Sequence, residues 1–412
     1  MSKKVEKEIL YIEAVGSMIK ETGYTKEENY MTKEKVTGAD LIAAALNYTI
    51  RSVDENTKFW MIRTKKGFFF EEFVTNQFVA LGWNIITKET DFSKSQEEIL
   101  REKVKNWYGE SRPTGPINKC KSFIYDIQVG DYILIPSSGS ERIAIAKAGE
   151  YFEDETKELK EELDIIPKID NDEKEFTKVV CPYRKRRYIK ILKIISPSLM
   201  SYNLRQAISN YHGLSNLDKY SEDILNCVFD CYIYKGNLNI TVNIKQENPL
   251  KPRYISKLLY SFTEFVCSLS NVDDISTTIN LNSPGSVRMK LKNAVSGITK
   301  AKWPLIFLFI AITGGKAKDI EVPGVIGTIR EAKTLNIEVE KEKLELEKEK
   351  EEVKAQQIEN MSNALELYIT AQNEGVDIEY VLKQLETLNS LDEELKFKSE
   401  DIGDIEVIQN KE

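Results

Sequence analysis

Residues 57–193 consist of short apolar runs separated by turn residues, and this alternation constrains the fold more than any other feature. The runs, each rich in aromatic or β-branched residues, lie at 58–63, 78–83, 128–136, 142–147 and 177–193. Runs of this length between turn residues indicate β-strands. A short Phe-rich helix at 68–73 and a helical insertion at 91–125 interrupt them. We therefore expect a small, partly open β-barrel.

The pattern after this barrel predicts a second, small α+β domain. Two strand-like runs, Val228–Tyr234 and Leu238–Ile244, flank the turn Lys235–Asn237 and indicate a hairpin. An amphipathic helix follows at 254–269, and two more strands extend to residue 292. The fold class predicted for the whole chain is α+β.

The last hundred residues predict helices. Trp303–Ile312 is an apolar run that is too short to span a bilayer, which takes about 20 residues. It has three interpretations, as a buried helix, a buried interface, or a segment that docks on or inserts into a membrane. Residues 329–370 predict a long charged helix, either a solvated stalk or a coiled coil, because apolar residues recur every seven positions with an interruption at Glu351.

These patterns divide the chain into five segments. They are an N-terminal helical segment (1–55), the barrel domain with an acidic loop or hairpin inserted at 153–175 (56–226), the α+β domain (227–300), the apolar segment (301–328) and the charged stalk with a C-terminal helix (329–412). The first segment is interpreted as a packing appendage or as a winged-helix-like unit.

Charge is distributed unevenly along the chain. The net charge is −8, but residues 336–412 hold 22 acidic and 9 basic residues, so the body before them is mildly basic. A basic body is compatible with a polyanionic partner. The five cysteines are scattered and odd in number, and the first residues lack the apolar core of a signal peptide. We expect buried thiols and a cytoplasmic protein.

Known catalytic motifs are not legible in the sequence. His212 is the single histidine, so histidine-based catalysis and a zinc site would both depend on it. Asp230 followed by Asn243-Ile-Lys245 lacks the second carboxylate of a nuclease metal site. Thr313-Gly-Gly-Lys316 lacks the upstream glycine of a phosphate-binding loop. We predict a protein without a catalytic site, metal or cofactor.

The order of these elements resembles a known domain. A strand with Trp-Met-Ile-Arg, a Lys-Gly turn, Val-Ala-Leu-Gly-Trp, a helical insertion and Val-Gly-Asp-Tyr-Ile-Leu-Ile-Pro is similar to the PUA-like, EVE-type domain found at the N-terminus of Mrr-type restriction proteins. The resemblance covers about 57–200 and does not extend to the nuclease. It implies a pocket for one flipped-out, often modified nucleobase in DNA or RNA, and a role in defence against phage.

Base recognition needs an aromatic wall and a few polar groups, which gives a set of candidate residues. The candidate ligand-binding residues are Trp60, Arg63, Trp83, Trp107, Ser137 and Ser138. The candidate contacts to a nucleic-acid backbone are Arg184, Lys185, Arg186 and Arg187. The competing interpretations are that each tryptophan belongs to the core and that the basic strand pairs with the acidic loop.

Three functions remain open. The first is a non-catalytic reader and effector of bacterial anti-phage defence that binds a nucleobase. The second is an effector that oligomerises or disrupts a membrane through 303–312 when a nucleotide binds. The third is a scaffolding protein with a degenerate reader, which binds itself or a protein partner through its C-terminal helices.

Overall fold

The fold is taken from a computed structural model, which describes only part of the chain. The described residues are Ile42, Ala45, Leu46, 50–170, 180–210, 213–246, 250–269, 275–280, 285–292, 298–299, 302–313, 322–334 and 352–398. They form two compact units, one of residues 56–228 and one that combines residues before 56 with residues after 228. The second unit thus includes parts of four of the predicted segments, whose status as separate domains stays a prediction.

Strands and helices alternate along the described residues. The strands are β1 (Ser52–Val53), β2 (Phe59–Ile62), β3 (Phe78–Leu81), β4 (Tyr132–Pro136), β5 (Ile143–Glu153), β6 (Lys185–Ile195), β7 (Leu214–Asn216), β8 (Cys231–Tyr234), β9 (Asn237–Ile244), β10 (Ile275–Asn280), β11 (Gly285–Leu291) and β12 (Phe397–Lys398). The α-helices are α1 (Phe70–Thr75), α2 (Glu97–Tyr108), α3 (Thr114–Lys121), α4 (Glu161–Asp170), α5 (Tyr202–Asn210), α6 (Ser221–Val228), α7 (Pro252–Leu269), α8 (Trp303–Thr313), α9 (Val322–Thr334), α10 (Glu352–Asn373) and α11 (Ile378–Leu395). The fold is α+β, as the sequence predicts.

The 56–228 unit is built on one mixed sheet. Its strand order is β3-β6-β5-β4-β2-β7, and the pair β2–β4 is parallel while the other pairs are antiparallel. The end strands β3 and β7 are not paired with each other, so the described sheet is open. The β-barrel is therefore not confirmed.

The centre of this sheet is buried on both faces. Trp60 and Ile62 belong to a core that also contains Phe73 and Phe123, whereas Phe59 and Met61 alternate with them and are also buried. Side chains alternate between faces along a strand, so a continuous apolar run is the expected sequence of a strand covered on both sides. This explains why Lys58–Arg63 has no polar alternation.

The other unit has its own sheet, in the order β1-β8-β9-β11-β10, with β12 pairing β9 beside β8. The hairpin β8–β9 and the helix α7 confirm the predicted elements of the α+β region. Ile42, Ala45 and Ile50 lie in the core of this unit. The described N-terminal residues thus pack into a larger core, and no winged-helix unit is seen among them.

The apolar segment forms helix α8, which is buried. Phe309 is fully buried, and its ring lies 4.8 Å from the ring of Phe262 and 5.0 Å from that of Phe265. Of the three interpretations, the structure matches the buried helix. Within the described residues, helices are too short or too polar to cross a membrane.

The C-terminal stalk is not confirmed. Residues 335–351 lie outside the described residues, and the flanking helices α9 and α10 are separate elements. Ala364, Leu367, Leu385 and Leu388 are buried in the core of the unit. These residues therefore serve as packing elements, not as a solvated rod.

Two local predictions are wrong. Within the acidic insertion, residues 161–170 form helix α4, where the sequence predicts a loop or hairpin. The helix forms because Ile169 is buried and Glu162 is hydrogen-bonded inside the protein. Cys267 is exposed, while the other four cysteines are buried and all five are free thiols.

Candidate functional site

Two loops meet where the parallel strands β2 and β4 end. One loop covers residues 63–69 and the other covers 137–142, and together they are called the two-loop site. A Cβ atom on Gly67 would lie 2.0 Å from the backbone nitrogen of Ser138. The two backbones are therefore in direct contact, which only glycine permits at this position.

The backbone of both loops is left-handed at several consecutive positions. Lys65, Lys66 and Gly67 have φ values of 48°, 56° and 91°, and Gly139 and Ser140 have 60° and 58°. Non-glycine residues adopt this conformation rarely and at a cost, and such residues concentrate at functional sites. The turns are closed by Phe68 N–H to Lys65 O (3.0 Å) and Ser140 N–H to Ser137 O (3.0 Å).

Arg63 connects the site to its surroundings. Its guanidinium donates to Ser140 Oγ at 3.3 Å and to the backbone carbonyl of Ile208. Its backbone N–H donates to Gly213 O at 3.1 Å. Partial burial lowers the pKa of Arg63, but an arginine remains charged in proteins. The structure thus places Arg63 beside the turn that contains Ser137 and Ser138.

The 63–69 loop of the site carries lysines and one exposed aromatic ring, whereas the 137–142 loop carries serines together with one acidic and one basic residue. Lys66 and Ser138 are exposed, Lys65 is half-buried, and the Phe68 ring is 36% exposed. Arg142 forms an ion pair with Glu71 and lies over the Phe70 ring at 5.0 Å. Cations with hydroxyls suit a phosphate, and an exposed ring suits a stacked base.

Trp60 does not belong to this site. It is buried, and its indole Nε1 donates to Asp131 Oδ2 at 3.0 Å. Asp131 also accepts from the backbone N–H of Lys58 (2.9 Å) and of Gln128 (2.9 Å). The indole fixes the Val-Gly-Asp turn to β2, so the core interpretation of Trp60 matches the structure.

Trp83 lies in a turn after β3 that is held from two sides. Its backbone has φ 61°, its N–H donates to Glu162 Oε2 at 2.9 Å, and its carbonyl accepts from Lys185 Nζ at 2.7 Å. Lys185 also donates to Ile86 O at 2.8 Å. The Trp83 side chain is half-buried and packs against the core.

Trp107 is half-buried in α2 and packs against the same core. Its indole Nε1 is buried and has no hydrogen-bond partner among the described residues. The next residue, Tyr108, donates its hydroxyl to Glu162. Trp83 and Trp107 are thus both connected to Glu162, through a backbone N–H and through the neighbouring tyrosine.

Burial shifts the pKa values of the groups that hold this turn. Burial raises the pKa of Glu162 above 4.5, although its hydrogen bonds from Tyr108 and Asn84 act in the opposite direction. Burial lowers the pKa of Lys185 below 10.5 and raises the pKa of the Cys120 thiol to about 11. Burying an ionisable group costs free energy unless it is hydrogen-bonded, and the bonds that Glu162 accepts and Lys185 donates offset this cost.

The basic strand Arg184–Arg187 is largely turned inward. Lys185 is fully buried, and Arg187 donates to Gly149 O (2.8 Å) and Phe123 O (3.2 Å). Arg186 pairs with Asp154 at 2.9 Å and lies 4.4 Å over the Phe78 ring. Arg184 is half-buried. Arg186 thus pairs with the acidic segment, whereas Lys185 and Arg187 donate to backbone carbonyls elsewhere in the unit.

The candidate enzyme residues give no assembled site among the described residues. The Asn243 amide donates to Asp230 Oδ1 at 2.8 Å, which brings the two nuclease-like positions together. No group of three or more His, Cys, Asp or Glu among the described residues has a metal-site arrangement. His212 and Gly314–Lys316 lie outside the described residues.

Comparison with known protein families gives a match over part of this unit. A family model for a domain of unknown function, DUF8426, matches residues 60–166. The match contains both loops of the two-loop site and Glu162. No curated protein and no solved structure matches the chain.

Sequence reasoning missed part of the two-loop site. Lys65, Lys66, Phe68 and Ser140 were treated as turn or helix residues, although they flank Arg63 and Ser138. The signal was present in Lys65-Lys-Gly67 and Ser138-Gly-Ser140, two glycine turns that each follow a buried strand. What the sequence did not reveal is that β2 and β4 are parallel neighbours, which brings both turns to one edge of the sheet.

Proposed function

We propose that residues 56–228 bind DNA or RNA by taking one nucleotide at the two-loop site. A phosphate lies against Arg63, Lys65 and Lys66, and the base, natural or modified, stacks on Phe68. The observation that supports this is the contact between Gly67 and Ser138, which joins a cationic loop to a serine-rich loop at the ends of parallel strands. Ligands of α/β sheets commonly bind at such carboxyl ends.

The whole chain, on this proposal, is a non-catalytic reader and effector. The resemblance to the PUA-like, EVE-type domain supports base reading and supplies the setting, defence against phage in bacteria. Self-association or binding of a protein partner would use the exposed faces of α10 and α11, because their apolar faces are buried. Light scattering of the full chain with and without oligonucleotide tests this part.

The binding test uses the full chain and fluorescently labelled single-stranded DNA and RNA. The double variant Lys65→Glu, Lys66→Glu should lose at least about tenfold in affinity and show a weaker dependence on salt, since each phosphate contact contributes to the salt slope. Lys103→Glu, Lys105→Glu is the matched control, because both lysines are exposed on α2 and the change in charge is identical.

Two results would contradict the proposal. Equal losses of affinity in the two double variants would mean that binding depends only on the net charge of the protein. A loss on Trp83→Ala in a folded protein, with normal binding by the Lys65→Glu, Lys66→Glu variant, would place the base against the indoles instead.

A further inference from the structure

The antiparallel strands β5 and β6 carry an aromatic and basic surface that the two-loop site does not include. It consists of the exposed Tyr188 and Lys190 and the half-buried Lys147, Phe152 and Lys193, and is called the β5–β6 platform. The rings of Phe152 and Tyr188 are stacked, with centroids 4.3 Å apart and planes 22° apart. Tyr188 is 55% exposed.

Strand register puts these side chains on one face. Lys147 is directly opposite Lys190, and Tyr188 precedes Lys190 by two residues on β6. Ala148 and Ile189, the alternate pair, are buried in the core on the opposite face. Side chains alternate along a strand, so Lys147, Tyr188 and Lys190 lie on the face away from this core. Lys193 is opposite Ile145, two residues before Lys147, and Phe152 stacks on Tyr188, so both belong to the same face.

A bulge next to Gly149 shapes the surface. The β5–β6 register shifts between Ala148 and Tyr151, and a Cβ atom on Gly149 would lie 3.0 Å from Tyr188 Cβ. The glycine lets the Tyr188 side chain approach the β5 backbone. The stacked pair is therefore held in place by the backbone, which reduces the entropy lost when a ligand stacks on it.

The charge of the platform favours a polyanion. Lys147, Lys190 and Lys193 lie on it, and the nearby carboxylate of Asp154 is paired with Arg186 at 2.9 Å. The negative charge of Glu150, in the bulge, favours the charged form of Arg187, whose side chain is buried. An exposed tyrosine stacked on a second ring and flanked by lysines suits a single strand, whose bases stack on aromatic rings while cations follow the backbone.

We propose that the β5–β6 platform is a second binding surface for single-stranded nucleic acid, with a base stacked on Tyr188 and phosphates near Lys147 and Lys190. Ile143, beside the two-loop site, and Phe152 are nine residue steps apart on β5, which corresponds to about 30 Å. A strand must be several nucleotides long to reach both surfaces. This inference extends the proposed function, but the platform binds with or without the two-loop site.

The test compares a mononucleotide with a single strand of about 16 nucleotides, a typical site size. Tyr188→Ala in the full chain should weaken binding of the long strand about tenfold and leave mononucleotide binding unchanged, whereas Tyr188→Trp should retain it. Tyr202→Ala is the matched control, since Tyr202 is 67% exposed on α5.

The outcomes distinguish failure of the platform from failure of the two-loop site. The platform is overturned if Tyr188→Ala binds the long strand as Tyr202→Ala does, or if a duplex of the same sequence binds more tightly than the single strand. Normal binding by the Lys65→Glu, Lys66→Glu variant together with a loss in Tyr188→Ala would reject the two-loop site and keep the platform.

Discussion

The carboxylate of Glu162 accepts a hydrogen bond from the backbone N–H of Asn84 at 2.6 Å, although the two residues are 78 positions apart. The same carboxylate accepts from the N–H of Trp83 at 2.9 Å and from the Tyr108 hydroxyl. Asn84 in turn donates its side-chain amide to Pro182 O at 2.9 Å. One buried acid thus joins α4, α2 and the turn after β3.

Glu162→Ala should lower the free energy of unfolding of the 56–228 unit by about 3 kcal/mol. The substitution leaves two backbone donors and one hydroxyl without an acceptor, and an unsatisfied buried donor costs about 1–3 kcal/mol. Chemical denaturation followed by tryptophan fluorescence measures the change. Glu162→Gln, which keeps an acceptor oxygen, should lose less.

Glu161→Ala is the control for this prediction. Glu161 is the neighbouring residue of α4 and forms a partly exposed ion pair with Lys157 at 3.4 Å. Such pairs contribute about 0–1 kcal/mol. Similar losses of unfolding free energy in the Glu161 and Glu162 variants would mean that the hydrogen bonds of Glu162 do not stabilise the unit.

Because of Lys185, the free energy of unfolding should depend on pH, and the sign of this dependence follows from the direction of the pKa shift. Burial lowers its folded pKa below 10.5, so between that lowered value and the pKa of the unfolded chain, about 10.4, the folded protein binds fewer protons than the unfolded one. The free energy of unfolding therefore rises with pH in this window. Its stabilising contribution is lost as the pH falls through the folded pKa.

Lys185→Met removes this contribution. Denaturation curves of the wild type and the variant should diverge as the pH rises through the window between the folded and the unfolded pKa of Lys185, with the wild type gaining stability relative to the variant. Parallel pH profiles would show that Lys185 has the same pKa in the folded and unfolded states.

Local patterns predicted most strands but not how they pair. The apolar run 58–63 indicates β2, because hydrophobicity and turn residues are local properties. The strand Leu214–Asn216 was missed, because two of its three residues are polar and its pairing with β2 depends on tertiary contact. Helix α4 was missed for a related reason, since its many charges resemble those of a loop.

The sequence indicates a candidate site residue only where the residue type and its position next to a strand are informative by themselves. Arg63 and Ser138 stand out in the sequence because they are polar residues that closely follow a buried strand, and their role in binding stays a prediction. Lys185 and Arg187 resemble surface cations in the sequence, since lysine and arginine are rarely buried. Their acceptors are backbone carbonyls of Trp83, Ile86, Phe123 and Gly149, which have no signature in the sequence.

Trp60→Phe should destabilise the 56–228 unit by about 2 kcal/mol without changing oligonucleotide binding. The indole N–H donates to a buried carboxylate, and hydrogen bonds to charged groups contribute about 1.5–3 kcal/mol. Denaturation and fluorescence anisotropy on the same sample separate the two effects.

A double-mutant cycle with Asp131→Asn is the control for Trp60. The coupling between the two substitutions should exceed about 0.5 kcal/mol, as for residues in direct contact. Weaker binding with unchanged stability in Trp60→Phe would instead assign the indole to the ligand.

Phe309→Ala should destabilise the unit that contains α8 by about 3–5 kcal/mol, the usual cost of removing a buried phenylalanine. Its ring fills the space between Phe262 and Phe265. Thermal unfolding measures the loss, and Tyr260→Ala, at a residue 60% exposed on the same helix α7 as the two partners, should cost little. Wild-type stability in Phe309→Ala would show that α8 is not a core helix.

Gly67→Ala should lower both the free energy of unfolding and the affinity for oligonucleotides. Backbone strain and a steric clash both contribute to this loss, and the control variant Gly130→Ala introduces only the strain. Both glycines are left-handed, with φ 91° and 94°, so each alanine costs about 1–2 kcal/mol for its backbone. Gly130 has open space around its Cβ position, whereas Gly67 meets Ser138.

The difference between the two variants therefore measures the contact between the loops. The clash at Gly67 should add about 1–3 kcal/mol, as overpacking does, and should displace Lys65 and Lys66 from the two-loop site. Affinity for single-stranded DNA or RNA should fall in Gly67→Ala and stay unchanged in Gly130→Ala. Equal stability and equal binding in the two variants would mean that the loops do not touch in solution, and the two-loop site would lose its physical basis.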